Sequence, residues 1–315
     1  MVAQTRSHSQ ATTTTEPQPA RFIRGQLPII AAATLWGTTG TAATFAPSAA
    51  TGVSIGAATM GFGGLVLLAL AGRSTVSVLR SGRRTLVVAI PGAVAIAVYP
   101  LAFYSSMALS GVAIGTVVSI GSSPVFAALL ERVIDHVGLE CRWMVATALS
   151  AAGAAILVRS AGVSTGRSVA AVVAGVALGF VAGATYAGYS FAARRLIQVG
   201  HPSRAVMGTL FGMGSVVLVP VVAVTGSTLL HSAAGVVVAT YLALVPMSLA
   251  YVLFGSGLRH VGATAATTLS LIEPAVAAML SVLVVGERLG TGSWLGVGLI
   301  GVGLVILIVR RAGDR

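Results

Sequence analysis

The feature that most constrains this chain is a nearly continuous series of apolar runs, each about as long as a membrane span. A hydrocarbon core of about 30 Å needs about 20 mostly apolar residues per helix. The 315 residues are 56% hydrophobic and 8% charged, with a mean hydropathy of +0.96, which is far from a typical soluble domain. The short alternating segments of a membrane barrel do not occur. The sequence therefore predicts an all-α integral membrane protein.

Charged and turn-rich breaks divide the runs into ten predicted transmembrane helices. They cover residues 27–46, 52–71, 85–107, 111–130, 143–161, 169–192, 204–225, 234–256, 262–285 and 291–309. Residues 1–26 are rich in Thr, Ser, Gln and Pro and lack the apolar core of a signal peptide, so we predict a disordered cytoplasmic tail there. Residues 311–315 form a second, short cytoplasmic tail.

The basic residues mark the topology. All nineteen are arginines, and with the N-terminus inside only Arg159, Arg167 and Arg288 fall on the outer side. This asymmetry follows the positive-inside rule, so both termini are predicted to be cytoplasmic. The net charge of +12 does not indicate a nucleic-acid partner, because the arginines are scattered between apolar runs and form no extended basic face.

The two halves of the chain resemble each other at an offset of about 150 residues. The shift places Trp36 on Tyr186, "TMGFGGLVLL" on "LFGMGSVVLV", Pro124 on Pro274 and "AAGAAILV" on "GVGLVILI". A repeat of five spans is odd-numbered, so the second copy enters the membrane from the opposite side. We therefore predict two inverted five-helix repeats, residues 27–161 and 162–310, an arrangement common among secondary transporters.

Glu273 is the candidate with the most unusual position. It lies about eleven residues into its predicted span, or roughly 16 Å deep, where a charge costs on the order of 2.5–3.5 kcal/mol. One interpretation is a titratable carboxylate that binds a cationic group or takes up a proton. The other is a protonated or hydrogen-bonded acid that packs beside Pro274. Pro124 and Pro274 are the predicted helix breaks of the two repeats.

Aromatic and hydroxyl side chains at similar depth are candidates for lining a substrate cavity between the repeats. Together with Glu273, the predicted substrate-binding residues are Trp36, Thr39, Tyr99, Tyr104, Ser123, Tyr186, Tyr189, Tyr251 and Ser270. The alternative for each is local: Ser and Thr often bond their own helix backbone, and Trp and Tyr often lie at the membrane interface.

Several kinds of chemistry have no motif in this chain. It contains no GxxxxGK[ST], no HExxH and no GxSxG, so we predict no catalytic residue, metal site or cofactor. A membrane-embedded enzyme acting on a lipid-linked substrate, or a non-transporting scaffold, are the alternatives to a transporter. The expected partners are a small-molecule substrate and the bilayer; the sequence does not indicate a protein partner.

The assembled residues resemble the EamA group of the drug/metabolite transporter superfamily. The resemblance rests on "LWG" at residues 35–37, on the two five-helix halves, and on "EPAVAAMLSVLVVGERLGTGSWLGVGLIGVGLVIL" from residue 273. It implies a ten-helix exporter of amino acids, related metabolites or toxic compounds in a bacterial inner membrane, driven by the proton gradient. By similarity, Gly286, Glu287 and Arg288 form the family's turn, whereas "ERVIDHVGLE" at residues 131–140 departs from it in the first repeat.

Overall fold

The computed structural model describes residues 22–110, 112–136, 138, 141–160, 168–280, 283–284 and 291–308. These residues are helical with short turns and contain no strand, which agrees with the predicted all-α class. Such a chain forms helices in a bilayer because a helix satisfies its backbone hydrogen bonds internally. The residues of the predicted Gly-Glu-Arg turn at 286–288, the repeat boundary near 161 and the C-terminal tail lie outside the described residues.

Helices occupy most of each predicted span, although the ninth predicted span contains two helices and two further short helices lie between spans. The helices are α1 (Leu27–Ala43), α2 (Gly52–Ala71), α3 (Ser74–Arg80), α4 (Arg83–Ser110), α5 (Val112–Ile134), α6 (Cys141–Ser160), α7 (Val169–Gln198), α8 (Ser203–Thr225), α9 (Ser227–Leu230), α10 (Ala233–Leu242), α11 (Ala250–Gly257), α12 (Ala263–Leu269), α13 (Ile272–Leu280) and α14 (Thr291–Ile308). A π-helical segment, Ala243–Leu249, joins α10 to α11. By length and composition, five helices in the described part are long and apolar enough to cross a membrane.

The boundary of the N-terminal tail is wrong by five residues. Phe22–Gln26, predicted as tail, form a π-helical turn that runs into α1. A side chain on Gly25 would lie only 3.0 Å from His260 Cβ, so this turn packs closely on the chain after α11. Packing against a distant segment orders these residues, and nothing in the local composition signals it.

Packing contacts recur when the two halves are exchanged. Gly153 of α6 lies against Gly296 of α14, and Gly303 of α14 lies against Ala146 of α6. A shift of 150 residues converts the first contact into the second. Small residues at these crossings let the helix backbones approach closely. This is the pattern expected when two similar halves pack about a common two-fold axis.

The centre of the bundle is the crossing of α2 and α8. Gly64 lies against Ser215, its counterpart in the other half, and Ser215 Oγ donates to Gly61 O at 2.8 Å. The same hydroxyl also bonds Phe211 O in its own helix at 2.9 Å. Neither glycine has a Cβ to hold the helices apart, so the hydroxyl reaches the backbone of the opposite helix.

Eleven of the twelve arginines in the described residues lie at one end of the bundle. They are Arg24, Arg73, Arg80, Arg83, Arg84, Arg132, Arg142, Arg194, Arg195, Arg204 and Arg259. Contacts join the helix ends that carry them: Arg204 donates to Leu70 O, and Arg142 Nε donates to Ile306 O at 2.6 Å. We call this the arginine-rich end.

The two predicted helix breaks have different outcomes. Before Pro274, the helix is interrupted at Ser270 and Leu271, between α12 and α13. Pro274 has no N–H for the Ser270 carbonyl, which instead accepts from Glu273 N at 3.0 Å in a tighter turn. The predicted break at Pro124 is wrong, because α5 continues through it. There Ser123 Oγ donates to Ile120 O at 2.8 Å and supplies the hydrogen bond that proline cannot.

We expect Ser123→Ala to destabilise the protein only when proline follows it. The change leaves the buried Ile120 carbonyl without this donor, at a cost of about 1–3 kcal/mol in the free energy of unfolding. In Pro124→Ala, the new N–H can donate to that carbonyl, so Ser123→Ala in this background should cost much less. The free energies of unfolding in detergent are compared for the unmodified protein, the two single variants and the double variant. An equal cost of Ser123→Ala in both backgrounds would contradict this explanation.

Candidate functional site

A cavity of about 60 Å³ lies between the two halves. Its lining residues are Trp36, Thr39, Gly56, Thr59, Met60, Tyr99, Pro100, Phe103, Tyr104, Tyr186, Tyr189, Pro246, Met247, Tyr251 and Glu273. They come from α1, α2 and α4 in the first half and from α7, the π-helical segment, α11 and α13 in the second. Thr39, Gly56 and Tyr104 lie toward the helix ends opposite the arginine-rich end, so the cavity extends from mid-bundle in that direction.

Eight of the ten predicted substrate-binding residues line this cavity, and Ser123 and Ser270 do not. Both serines are fully buried and bond backbone carbonyls of their own helices, at Ile120 and Ala266. The local alternative considered for hydroxyl residues therefore describes these two.

Several residues that line the cavity were not predicted from the sequence. Phe103 stands four residues after Tyr99, on the same helix face, and their rings stack at 5.5 Å; this spacing could have identified it. Met60 and Met247 carry no polar group that would distinguish them from core residues. Pro246 and Met247 reach the cavity from the π-helical segment, and such irregular turns are frequent at functional sites.

Aromatic rings form the wall of the cavity nearest the arginine-rich end. Trp36 lies 4.9 Å from Tyr251 and 6.1 Å from Tyr186, measured between ring centroids, and the Trp36 and Tyr186 rings are nearly perpendicular. Trp36 and Tyr186 occupy equivalent positions in the two repeats, so the contact lies where the halves meet. Phe254 and Phe211 pack behind these rings, at 5.3 Å from Trp36 and 4.4 Å from Tyr251. The wall is mainly aromatic ring surface, and Trp36 Nε1 is buried in it without a hydrogen-bond partner among the described residues.

The tyrosine hydroxyls of this wall bond to other side chains of the protein. Tyr189 and Tyr251 share a hydrogen bond of 2.6 Å between their hydroxyls. Tyr186 Oη donates to Ser270 Oγ at 2.6 Å. Ser270 therefore acts behind the cavity, because it holds the Tyr186 ring against α12. Tyr186, Tyr189 and Tyr251 therefore expose mainly ring surface to the cavity.

Glu273 begins the helix after the break and lines the same cavity. It lies in the first turn of α13, where a carboxylate is favoured by the helix dipole. Within the part of the chain that the structure describes, its carboxylate has no hydrogen-bond or ion-pair partner, and no basic side chain lines the cavity. The described residues also contain no group of three or more His, Cys, Asp or Glu that could hold a metal ion.

At the arginine-rich end, two charged side chains hold the turn between α11 and α12. Glu131 Oε1 accepts from Ala263 N at 2.6 Å and from Thr264 N at 3.4 Å, at the start of α12. Arg194 Nη1 donates to Leu258 O at 2.9 Å and also to Val261 O, after the end of α11. Each charge matches the helix end that it contacts. We call Glu131, Arg194 and residues 258–264 the turn clamp.

Within the turn clamp, Glu131 provides a contact between the two halves at the arginine-rich end. Glu131 lies in α5, one residue past the predicted fourth span, and the turn belongs to the second half, so this contact joins the two halves. Gly262 permits it, because a Cβ there would lie 2.9 Å from Glu131 Oε1. The sequence did not predict a role for Glu131, because residues 131–140 depart from the family's turn motif and the partners of Glu131 are backbone groups more than 130 residues away.

We expect Gly37→Ala to destabilise the protein and Gly40→Ala to leave its stability nearly unchanged. A Cβ on Gly37 would lie 2.7 Å from Val276 and 3.0 Å from Glu273 O, whereas nothing lies within 4 Å of one on Gly40. Overpacking of this kind costs about 1–3 kcal/mol. Thermal unfolding in detergent measures both, and equal midpoints for the two variants would show that α1 does not press on α13 here.

Comparisons with known proteins agree with this architecture. The model of the EamA-like transporter family matches residues 23–159 and 173–309, once in each half. The uncharacterized transporter YwfM of Bacillus subtilis (strain 168) is 34% identical over 279 residues, which cover 89% of this chain and 92% of that protein. A protein of known crystal structure shares the fold, with a TM-score of 0.74 over 89% of this chain and 95% of that one, at 19% identity. The chain is therefore a multi-pass membrane protein that belongs to the EamA-like transporter family.

Proposed function

We propose that this protein is a secondary active transporter that moves a small molecule through the cavity between its two halves. The observation that carries the proposal is the cavity itself: helices of both halves line it, and the turn clamp joins the halves beyond one of its ends. A substrate held between two similar halves can be exposed to either side in turn if they rock against each other. A non-transporting scaffold would need no such cavity.

Ten membrane spans in two inverted five-helix repeats are part of the proposal. Supporting it are the two family matches, the contacts that exchange under a shift of 150 residues, and the pairing of equivalent residues at the centre. An odd number of spans per repeat gives the two copies opposite orientations, so that their equivalent helices meet about an axis in the membrane plane.

The arginine-rich end is proposed to face the cytoplasm of a bacterial cell. Eleven described arginines gather there and only Arg159 lies at the opposite end, which follows the positive-inside rule. Both chain termini lead from this end, because α1 begins and α14 ends there. The turn clamp then closes the cytoplasmic side, and the cavity extends toward the outside.

Export of amino acids, related metabolites or toxic compounds, coupled to the proton gradient, is the finer form of the proposal. Glu273 is the proposed coupling residue because it is the one carboxylate among the described residues that line the cavity. A carboxylate there can alternate between a proton and a cationic group of the substrate, so that release of one accompanies binding of the other.

We expect Glu273→Gln to abolish the dependence of efflux on the proton gradient. The test loads proteoliposomes with a panel of amino acids and metabolites and compares loss of each compound with and without an imposed gradient. Asp135→Asn is the matched control, because it also converts an acid to its amide. It removes only an exposed ion pair with Arg195, and such pairs contribute little to the free energy of unfolding. Gradient-dependent efflux that persists in Glu273→Gln would exclude coupling through this residue, and no movement of any compound would favour a scaffold.

We expect Glu131→Ala to shift the protein toward opening at the arginine-rich end. Loss of a carboxylate that caps α12 removes about 1–2 kcal/mol from the clamped state, which corresponds to a roughly five- to thirty-fold change in the ratio of the two states. Glu131→Gln keeps an acceptor oxygen and should shift the ratio less.

Cysteine labelling measures this shift. Cys141 is the only cysteine of the chain, so Cys141→Ser provides a background for Thr39→Cys, which places a thiol in the cavity. In Glu131→Ala, labelling by an impermeant maleimide should fall from the outer face and rise from the cytoplasmic face, while Asp135→Asn should match the unmodified background. Unchanged labelling from both faces would mean that the turn clamp does not hold a gate.

A further inference from the structure

The charge of the cavity limits what it can bind. Glu273 is the only carboxylate among the residues that line it, and no arginine or histidine of the described residues joins it there. An anionic ligand would face a carboxylate without a compensating cation, in surroundings where water screens the repulsion poorly. A cationic ligand would instead supply the partner that the Glu273 carboxylate lacks.

Ring surface is the second feature that the cavity offers. Seven of its fifteen lining residues are aromatic, and Trp36 and Tyr251 lie 4.9 Å apart, tilted by 50°. Faces of Trp and Tyr rings attract a cation through their quadrupole, and they do so best where water is excluded. Several tilted rings around one carboxylate are suited to a rounded cation better than to a flat neutral molecule.

The hydroxyl groups favour the same conclusion. Tyr186, Tyr189 and Tyr251 already use their hydroxyls in hydrogen bonds of 2.6 Å within the protein. A ligand that needs hydrogen bonds donated by these three residues would have to break those bonds, which is costly in a buried site. A quaternary ammonium neither donates nor accepts hydrogen bonds and so leaves them intact. Trp36 Nε1 is buried without a partner among the described residues, so that nitrogen can donate to an acceptor group elsewhere on the ligand.

We propose that this cavity is an organic-cation site, whose ligands carry an amine or quaternary ammonium group held by Glu273 and by the faces of Trp36, Tyr251 and Tyr99. This names the substrate class of the transporter proposed above and so rests on that function. The size of the cavity, about 60 Å³, is room for roughly four to six waters. The cationic group itself should therefore be small.

A matched pair of ligands isolates the charge. Choline and its neutral carbon isostere, 3,3-dimethylbutan-1-ol, have nearly the same shape and differ in one positive charge. Purified full-length protein in detergent is equilibrated with radiolabelled choline, which is then displaced by unlabelled choline, by tetramethylammonium or by the isostere. We expect the two cations to displace the label at concentrations about tenfold lower than the isostere, or lower still.

Variants distinguish the contribution of the Glu273 carboxylate to cation binding from that of the aromatic rings. Glu273→Gln should reduce the preference for choline over the isostere to near unity, while Asp135→Asn keeps it. Trp36→Phe should retain most of the choline affinity because it keeps an aromatic face, whereas Trp36→Leu should lose it. A melting transition in each variant establishes that the protein is folded. Loss of affinity in Trp36→Leu but not in Trp36→Phe is a result that bulk alone would not produce.

Three results would overturn the organic-cation site: displacement by the isostere as effective as by choline, choline affinity unchanged in Glu273→Gln, or no binding of either cation to folded protein. The outcome is independent of transport. Cation binding without efflux from proteoliposomes would contradict the transporter proposal but support the organic-cation site. Gradient-driven efflux of only neutral or anionic compounds would support the transporter proposal but contradict the organic-cation site.

Discussion

A backbone N–H or C=O within a bilayer finds no water, so the protein itself must supply its partner, and this requirement underlies the features described above. Helices satisfy it for most residues. The positions where a helix ends, breaks or contains proline are the exceptions, and at two of them side chains supply the missing partners. Ser123 bonds the carbonyl that Pro124 leaves free, and Glu131 and Arg194 bond the exposed groups of the turn between α11 and α12.

The two equivalent prolines differ in the residue that precedes them. Pro124 and Pro274 are equivalent in the repeats, and each lacks the N–H that would bond the carbonyl four residues earlier. In α5 a serine hydroxyl restores the bond and the helix continues. Before Pro274 the preceding residue is Glu273, whose backbone N–H bonds Ser270 O while its carboxylate remains at the cavity. The residue before the proline is thus a hydroxyl bonded to its own helix in the first repeat and an acid at the cavity in the second.

The cavity also depends on close contact between helices. Gly37 brings α1 against the backbone of Glu273, and Gly56 leaves space beside the Tyr104 ring. At the bundle centre, Gly64 and Ser215 allow α2 and α8 to cross with a hydrogen bond between them. Without a hydrophobic force between helices in lipid, such small-residue contacts and interhelical bonds are what hold the cavity walls in place. The cavity therefore depends on residues that contribute no chemistry to it.

The sequence by itself determined the helical class, the approximate helix bounds, the family, and most of the polar and aromatic residues that line the cavity, because these follow from hydropathy, motifs and position along each apolar run. Only the tertiary structure decided which hydroxyls reach the cavity. Ser123 and Ser270 have the right depth, but their oxygens bond carbonyls of their own helices, and a hydroxyl's choice between backbone and cavity depends on rotamer and neighbours. Glu131 was likewise assigned no role, because its partners are backbone N–H groups in the other half, and backbone groups carry no signature in a sequence.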